Sequence, residues 1–78
     1  MEEIKKLYYS IGEVATIFST TTSRIRFYEE YFELGVVRNR KGDRRFTEKD
    51  ICRTGYIIEM IEEGYTLKGV YKKLNVKQ

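Results

Sequence analysis

Thr20-Thr-Thr-Ser-Arg-Ile-Arg-Phe-Tyr-Glu29 decides how this chain is read. Hydroxyl residues open the run, and Thr21 is the expected N-cap, because its side chain can satisfy one of the amides that the first turn of a helix leaves unpaired. Ile25 and Tyr28, with Phe32 four further on, fall at helical spacing while Arg24 and Arg26 point elsewhere. The run therefore predicts a helix reaching about Phe32, with one buried side and one basic side.

Upstream, Ser10-Ile-Gly-Glu13 matches a capping box, and Ile11, Val14, Ala15 and Phe18 then make one apolar stripe over about two turns. Ser19-Thr20 carries the turn between the two helices, which makes a helix-turn-helix. Downstream, Leu34-Gly-Val-Val37 leads the chain out, with Gly35 able to take the left-handed conformation. Arg38-Asn-Arg-Lys-Gly-Asp-Arg-Arg-Phe46 follows, with five basic residues flanking a Gly-Asp turn signal. This predicts a hairpin with arms Val36 to Arg40 and Arg44 to Phe46, and Lys41, Gly42 and Asp43 at its tip. Thr47-Glu-Lys-Asp50 caps a third helix with Ile51, Gly55, Ile58, Ile61 or Glu62, and Tyr65 on or near one face, ending at Gly64. Thr66 caps a fourth, striped by Leu67, Val70, Tyr71 and Leu74, and Lys72, Lys73 and Lys77 suit its C-terminal end. Before all of these, residues 1–6 are charged and Leu7-Tyr-Tyr9 is a short strand-forming stretch.

The expected architecture is mainly α with a small β hairpin: a winged helix-turn-helix of about four helices plus a short wing. One domain spans residues 8–74, after a flexible extension at 1–7 and before a tail at 75–78. With 78 residues and 41 % hydrophobic content the chain can build one core and no more. The absence of His removes the commonest general base and metal ligand, and the single Cys52 can form neither a disulfide nor a four-ligand zinc site. No nucleophile, base and pocket assemble from these residue types, so neither an enzyme, a metal nor a cofactor is expected. No run of 18 apolar residues and no signal peptide is present, which predicts a cytoplasmic protein without a membrane partner. The net charge of +3 permits an anionic partner, and the local clustering says more than the total. Five cations within a short hairpin repel one another and are costly to keep together without an anionic partner. Beside a helix with a basic side, they suggest a nucleic-acid surface.

Four pieces in this order and spacing resemble the DNA-binding domain of the MerR family of bacterial transcription regulators: Tyr9-Ser-Ile-Gly-Glu-Val-Ala15, Arg26-Phe-Tyr-Glu29, Gly42-Asp-Arg-Arg-Phe-Thr-Glu-Lys-Asp-Ile51 and Glu63-Gly-Tyr-Thr-Leu67. The resemblance implies a winged helix-turn-helix that binds double-stranded DNA, with the recognition helix in the major groove and the wing along the backbone. It puts the base-reading positions on Thr22, Ser23 and Arg24, phosphate contacts on Arg26 and Tyr28, and the wing arginine on Arg44 with Arg45 beside it. Arg38, Arg40 and Lys41 join them as the other cations of the wing. Family members continue into a long dimerising helix and often an effector domain, so a homodimer is implied where the chain extends past Gln78, with RNA polymerase as a further partner. Asp43 departs from the family pattern and sets a carboxylate near phosphate unless Arg44 or Lys41 pairs with it.

Blander readings stand beside these. Arg24 and Arg26 could pair with Glu29, Glu30 or Glu33, Tyr28 could be a core ring with its hydroxyl at the rim, and Cys52 a small, semi-buried filler. Glu59, Glu62 and Glu63 read as a solvated face. At the level of function the alternatives are an excisionase-like DNA-bending accessory factor, or a protein-interaction module in which Leu74 and Val76 begin a dimer helix.

Overall fold

In the computed structural model, which describes residues 6–75, the chain runs α1 (Ile11–Ile17), α2 (Thr22–Tyr31), β1 (Val37–Arg38), β2 (Arg44–Arg45), α3 (Glu48–Glu62) and α4 (Leu67–Leu74). All four helices begin where a hydroxyl takes up an orphan amide. Ser10 Oγ accepts from the Glu13 amide at 3.1 Å while Glu13 Oε1 accepts from the Ser10 amide at 2.8 Å, closing the capping box of α1. Thr21 Oγ1 accepts from the Arg24 amide at 3.1 Å, Thr47 exchanges the same pair of bonds with Asp50, and Thr66 Oγ1 accepts from the Gly69 amide at 3.0 Å. Ser19, at φ 55°, makes the turn between α1 and α2, and the Thr20 amide bonds back to the Ala15 carbonyl at 2.9 Å. The helix-turn-helix is thus fixed locally before any packing is considered.

Packing then joins the four helices and the residues flanking the hairpin to one interior. Val14 and Ala15 of α1 meet Ile25, Tyr28 and Phe32 of α2, Leu34 and Val36 of the connection, Phe46, Ile57 of α3 and Val70 of α4. Phe46 is fully buried, and its backbone exchanges hydrogen bonds with Tyr9 at 2.7 and 2.8 Å, so the segment before α1 is stitched to the far arm of the hairpin. Leu7-Tyr-Tyr9 contributes this single bridge rather than a strand. Within the hairpin, Val37 pairs with Arg45 and Arg38 with Arg44. The ladder is shorter than the arms expected from sequence because Asn39 intervenes: its side-chain carbonyl accepts from the Asp43 amide at 2.8 Å, and its own carbonyl accepts from the Gly42 amide at 2.9 Å. Gly42, at φ 92°, supplies the left-handed residue which that closure needs.

The buried line of α3 also differs from the expected stripe. Asp50, Thr54 and Ile57 are buried, whereas Ile51, Gly55, Ile58 and Ile61 are half-buried and Tyr65 is exposed. α3 has neighbours on more than one side, so its inward arc is wider than a single i, i+3, i+4 stripe, and Gly55 leaves room for the Phe18 ring, which would lie 3.2 Å from a Cβ at that position. Asp50 tolerates burial because Arg53 donates to it at 2.6 Å and the Thr47 amide at 2.9 Å. Arg53 also donates to the Leu34 carbonyl at 2.7 Å, which ties α3 to the chain leaving α2. Of the extension expected at 1–7, residues 1–5 lie outside the described residues, while Lys6 pairs with Glu13 and sits over the Tyr9 ring. In the tail, Val76 and Lys77 also lie outside them.

Candidate nucleic-acid interface

The inward side of α2 is set by Ile25, Tyr28 and Glu29 and, at its C-cap, Phe32. With about 100° between successive residues, the opposite ridge carries Ser23, Phe27 and Glu30, and Arg24 and Arg26 fall about 160° apart on its two flanks. Both arginines are exposed, and neither side chain has a hydrogen-bond or ion-pair partner among the described residues. Thr22 and Ser23 are exposed in the first turn beside them. A protruding helix with free cations on both shoulders matches what a groove between two phosphate strands requires.

The wing closes on one of those shoulders. Arg26, Arg44, Arg45, Asn39, Asp43 and Lys6 line a single concave surface between α2, the start of α1 and the hairpin. Arg24 lies across the ridge, in a shallow groove with Thr21, Ser23, Phe27, Ile61 and Leu67. Arg26 and Arg44 are therefore brought together, and Arg24 shares their helix but not their side of it.

Each cation of the wing has a distinct setting. Arg44 donates from Nε to Glu29 Oε1 at 2.7 Å and from Nη2 to Glu30 Oε2 at 2.8 Å, and its side chain is only 11 % exposed. Of the three acids open to Arg24 and Arg26, Glu29 and Glu30 thus hold Arg44 instead, because Glu29 faces inward and a buried carboxylate needs a charge against it, while Glu33 accepts from the Tyr71 hydroxyl at 3.1 Å. Asp43 consequently gains no ion pair from Arg44. Arg45 stacks its guanidinium on Tyr8, 4.6 Å from the ring centroid. Arg38 Nη1 donates to the Gly42 carbonyl at 3.0 Å and stiffens the turn. Arg40 and Lys41 are exposed at the tip, without side-chain partners among the described residues.

The Tyr28 ring is buried, 6.1 Å from Phe32, and its hydroxyl makes no hydrogen bond among the described residues. It is a core ring beneath the Arg24 groove. Lys6 reaches the concave surface with its charge already matched: its hydrogen bond to Glu13, then that of the Ser10 amide, holds the Glu13 carboxyl below its ordinary range. Two contributors escaped sequence reasoning. Glu29 anchors the wing across 15 residues, which no local pattern reveals. Phe27, 46 % exposed, is assigned no role by the sequence pattern, although its place four residues after Ser23 puts it on the outward ridge. Among the described residues no three His, Cys, Asp or Glu gather to hold a metal, and no helix is long and apolar enough to cross a membrane; Cys52 is exposed rather than the semi-buried filler expected, because it lies off the inward arc set by Asp50, Thr54 and Ile57.

Comparison with known proteins agrees with this geometry. The family model described as MerR HTH family regulatory protein matches residues 9–77. The HTH-type transcriptional regulator ZntR of Escherichia coli strain K12 is 31 % identical over 70 residues, which are 88 % of this chain and 50 % of ZntR. Among solved structures, a MerR family transcriptional regulator from Bacillus thuringiensis superposes with a TM-score of 0.76 and 31 % identity, over 87 % of this chain and 60 % of that one. HiNmlR, described as a MerR family regulator lacking the sensor domain and bound to promoter DNA, superposes with a TM-score of 0.70 and 25 % identity, over 85 % and 53 % of the two chains. The chain spans about half the length of the curated relatives it matches.

Proposed function

Because the chain belongs to the MerR family of helix-turn-helix regulators, we propose that it binds double-stranded DNA sequence-specifically, as the DNA-reading part of a bacterial transcription regulator. The observation that carries this reading is the pair of unpartnered arginines on the two shoulders of α2, one of them facing the basic wing across a shared concave surface. With α2 in the major groove, Thr22, Ser23 and Arg24 reach base edges, and Arg24 has the two-pronged donor geometry that fits guanine. Arg26, Arg38, Arg40 and Lys41 meet phosphate oxygens, with Arg45 beside them on its tyrosine platform. Arg44 holds the wing in position, its guanidinium directed to Glu29 and Glu30, and Tyr28 supports the helix from below. No step of this role is catalytic, and the DNA it addresses lies in the cytoplasm.

A second copy of the chain is the natural partner, because a two-fold dimer reads two half-sites and thereby gains both affinity and specificity. RNA polymerase at the same promoter is the further proposed partner. Enrichment from a randomised duplex pool, followed by titration of the enriched site at rising salt, tests the reading. A steep fall in affinity with salt, and a preference for the enriched over random duplex, is the expected result. Binding that ignores ionic strength, or no enrichment at all, rejects it.

A further inference from the structure

Phe27 is not part of the core. Its ring is 46 % exposed on the most protruding line of α2, between two free arginines, while the core beneath is filled by Ile25, Tyr28 and Phe32. The ring is nevertheless held: it lies 5.8 Å from the Tyr28 ring and 5.6 Å from the Tyr31 ring, so it stands off the helix in a supported orientation. Whatever meets this ridge is drawn there by Arg24 and Arg26 and must present an apolar group to an aromatic face.

In a duplex the bases are stacked, and only their edges are open in the major groove. The one apolar group on those edges is the C5-methyl of thymine. We propose that Phe27 is a specificity-determining residue that selects a thymine through this methyl group, at one step of each site contacted by α2. The inference rests on the DNA-binding reading above and goes beyond it, since it assigns a base and an atom to a residue outside the hydroxyl and arginine set. It also divides the labour along the ridge: Arg26 holds the backbone, Arg24 reads its own base edge, and the ring samples a thymine between them.

The experiment uses the 78-residue chain and the duplex it enriches from a randomised pool. Each thymine of that duplex is replaced in turn by deoxyuridine, which removes only the methyl group. At one position per contacted site the unmodified protein should lose about fourfold in affinity, what burial of one methyl group is worth. Phe27→Ala should bind the thymine and deoxyuridine duplexes equally, and Phe27→Leu, which keeps an apolar contact, should retain part of the discrimination. Circular dichroism establishes that both variants are folded. If deoxyuridine is tolerated at every position, or weakens the unmodified protein and Phe27→Ala alike, the Phe27 assignment is overturned while DNA binding stands. If no duplex is enriched, the DNA-binding reading falls and this inference with it.

Discussion

Arg44 Nε and Glu29 Oε1 lie 2.7 Å apart, and both side chains are only 11 % exposed. Glu30, the second acid on Arg44, is 61 % exposed. The two carboxylates therefore differ in value although their distances to Arg44 are nearly equal. Glu29→Ala should destabilise the domain by roughly 3 kcal/mol, since it strands a desolvated guanidinium. Glu30→Ala should change stability by less than about 1 kcal/mol. Urea midpoints of the two variants decide the matter, and equal losses would show that burial is not what distinguishes them.

Arg24 and Arg26 should separate in binding assays. Arg24→Ala is expected to relax base preference at one position by about 1–3 kcal/mol, whereas Arg26→Ala should weaken all duplexes alike and lower the salt slope by about one. Titrations of cognate and random duplex at several salt concentrations read both effects. Identical behaviour of the two variants would remove the distinction between reading and gripping.

Phe46 and Phe27 carry the same side chain in opposite settings. Phe46→Ala should cost about 3–5 kcal/mol and leave so small a domain largely unfolded, because its whole stability is of that order. Phe46→Leu, which keeps most of the volume, should cost about 1 kcal/mol. Phe27→Ala should shift the thermal midpoint very little. A large loss from the latter would mean that its ring supports the fold.

Stability toward acid should depend on Glu13. The carboxyl is held below its ordinary range by Lys6 and by the Ser10 amide, so the unfolded chain binds the proton more readily than the folded one. Its contribution is complete above the unfolded carboxylate value of about 4.3 and is lost as the pH falls through the lower folded value. Glu13→Gln should flatten the acid limb of a plot of urea midpoint against pH while leaving other carboxylates to titrate as before. An unchanged limb would place the acid sensitivity elsewhere.

How far these features could be read from residues alone depends on the range of the interaction. Ser10, Thr21, Thr47 and Thr66 announce their helices because a cap and the amide it satisfies lie three residues apart. Val14, Ile25 and Val70 were legible because helical spacing marks an inward face. Ile57 and Thr54 were not, since which arc of α3 faces inward depends on where its neighbours lie. The wing shows the same boundary: its cations are evident from composition, but that Arg44 turns inward to Glu29 and Arg45 lies over Tyr8 follows only from the assembled fold. Asn39 shortened the arms through one side-chain bond that competes with the ladder.

The bridge between Tyr9 and Phe46 has a consequence for chimaeras. Two ladder pairs cannot keep a hairpin upright by themselves, so the flap borrows its posture from Tyr8, Tyr9 and Glu29, all of which lie outside it. A transplant that exchanged only residues 37–45 between relatives would carry the cationic fingertips and leave their knuckles behind. A graft that travels with its tyrosine pair and its glutamate should arrive already aimed.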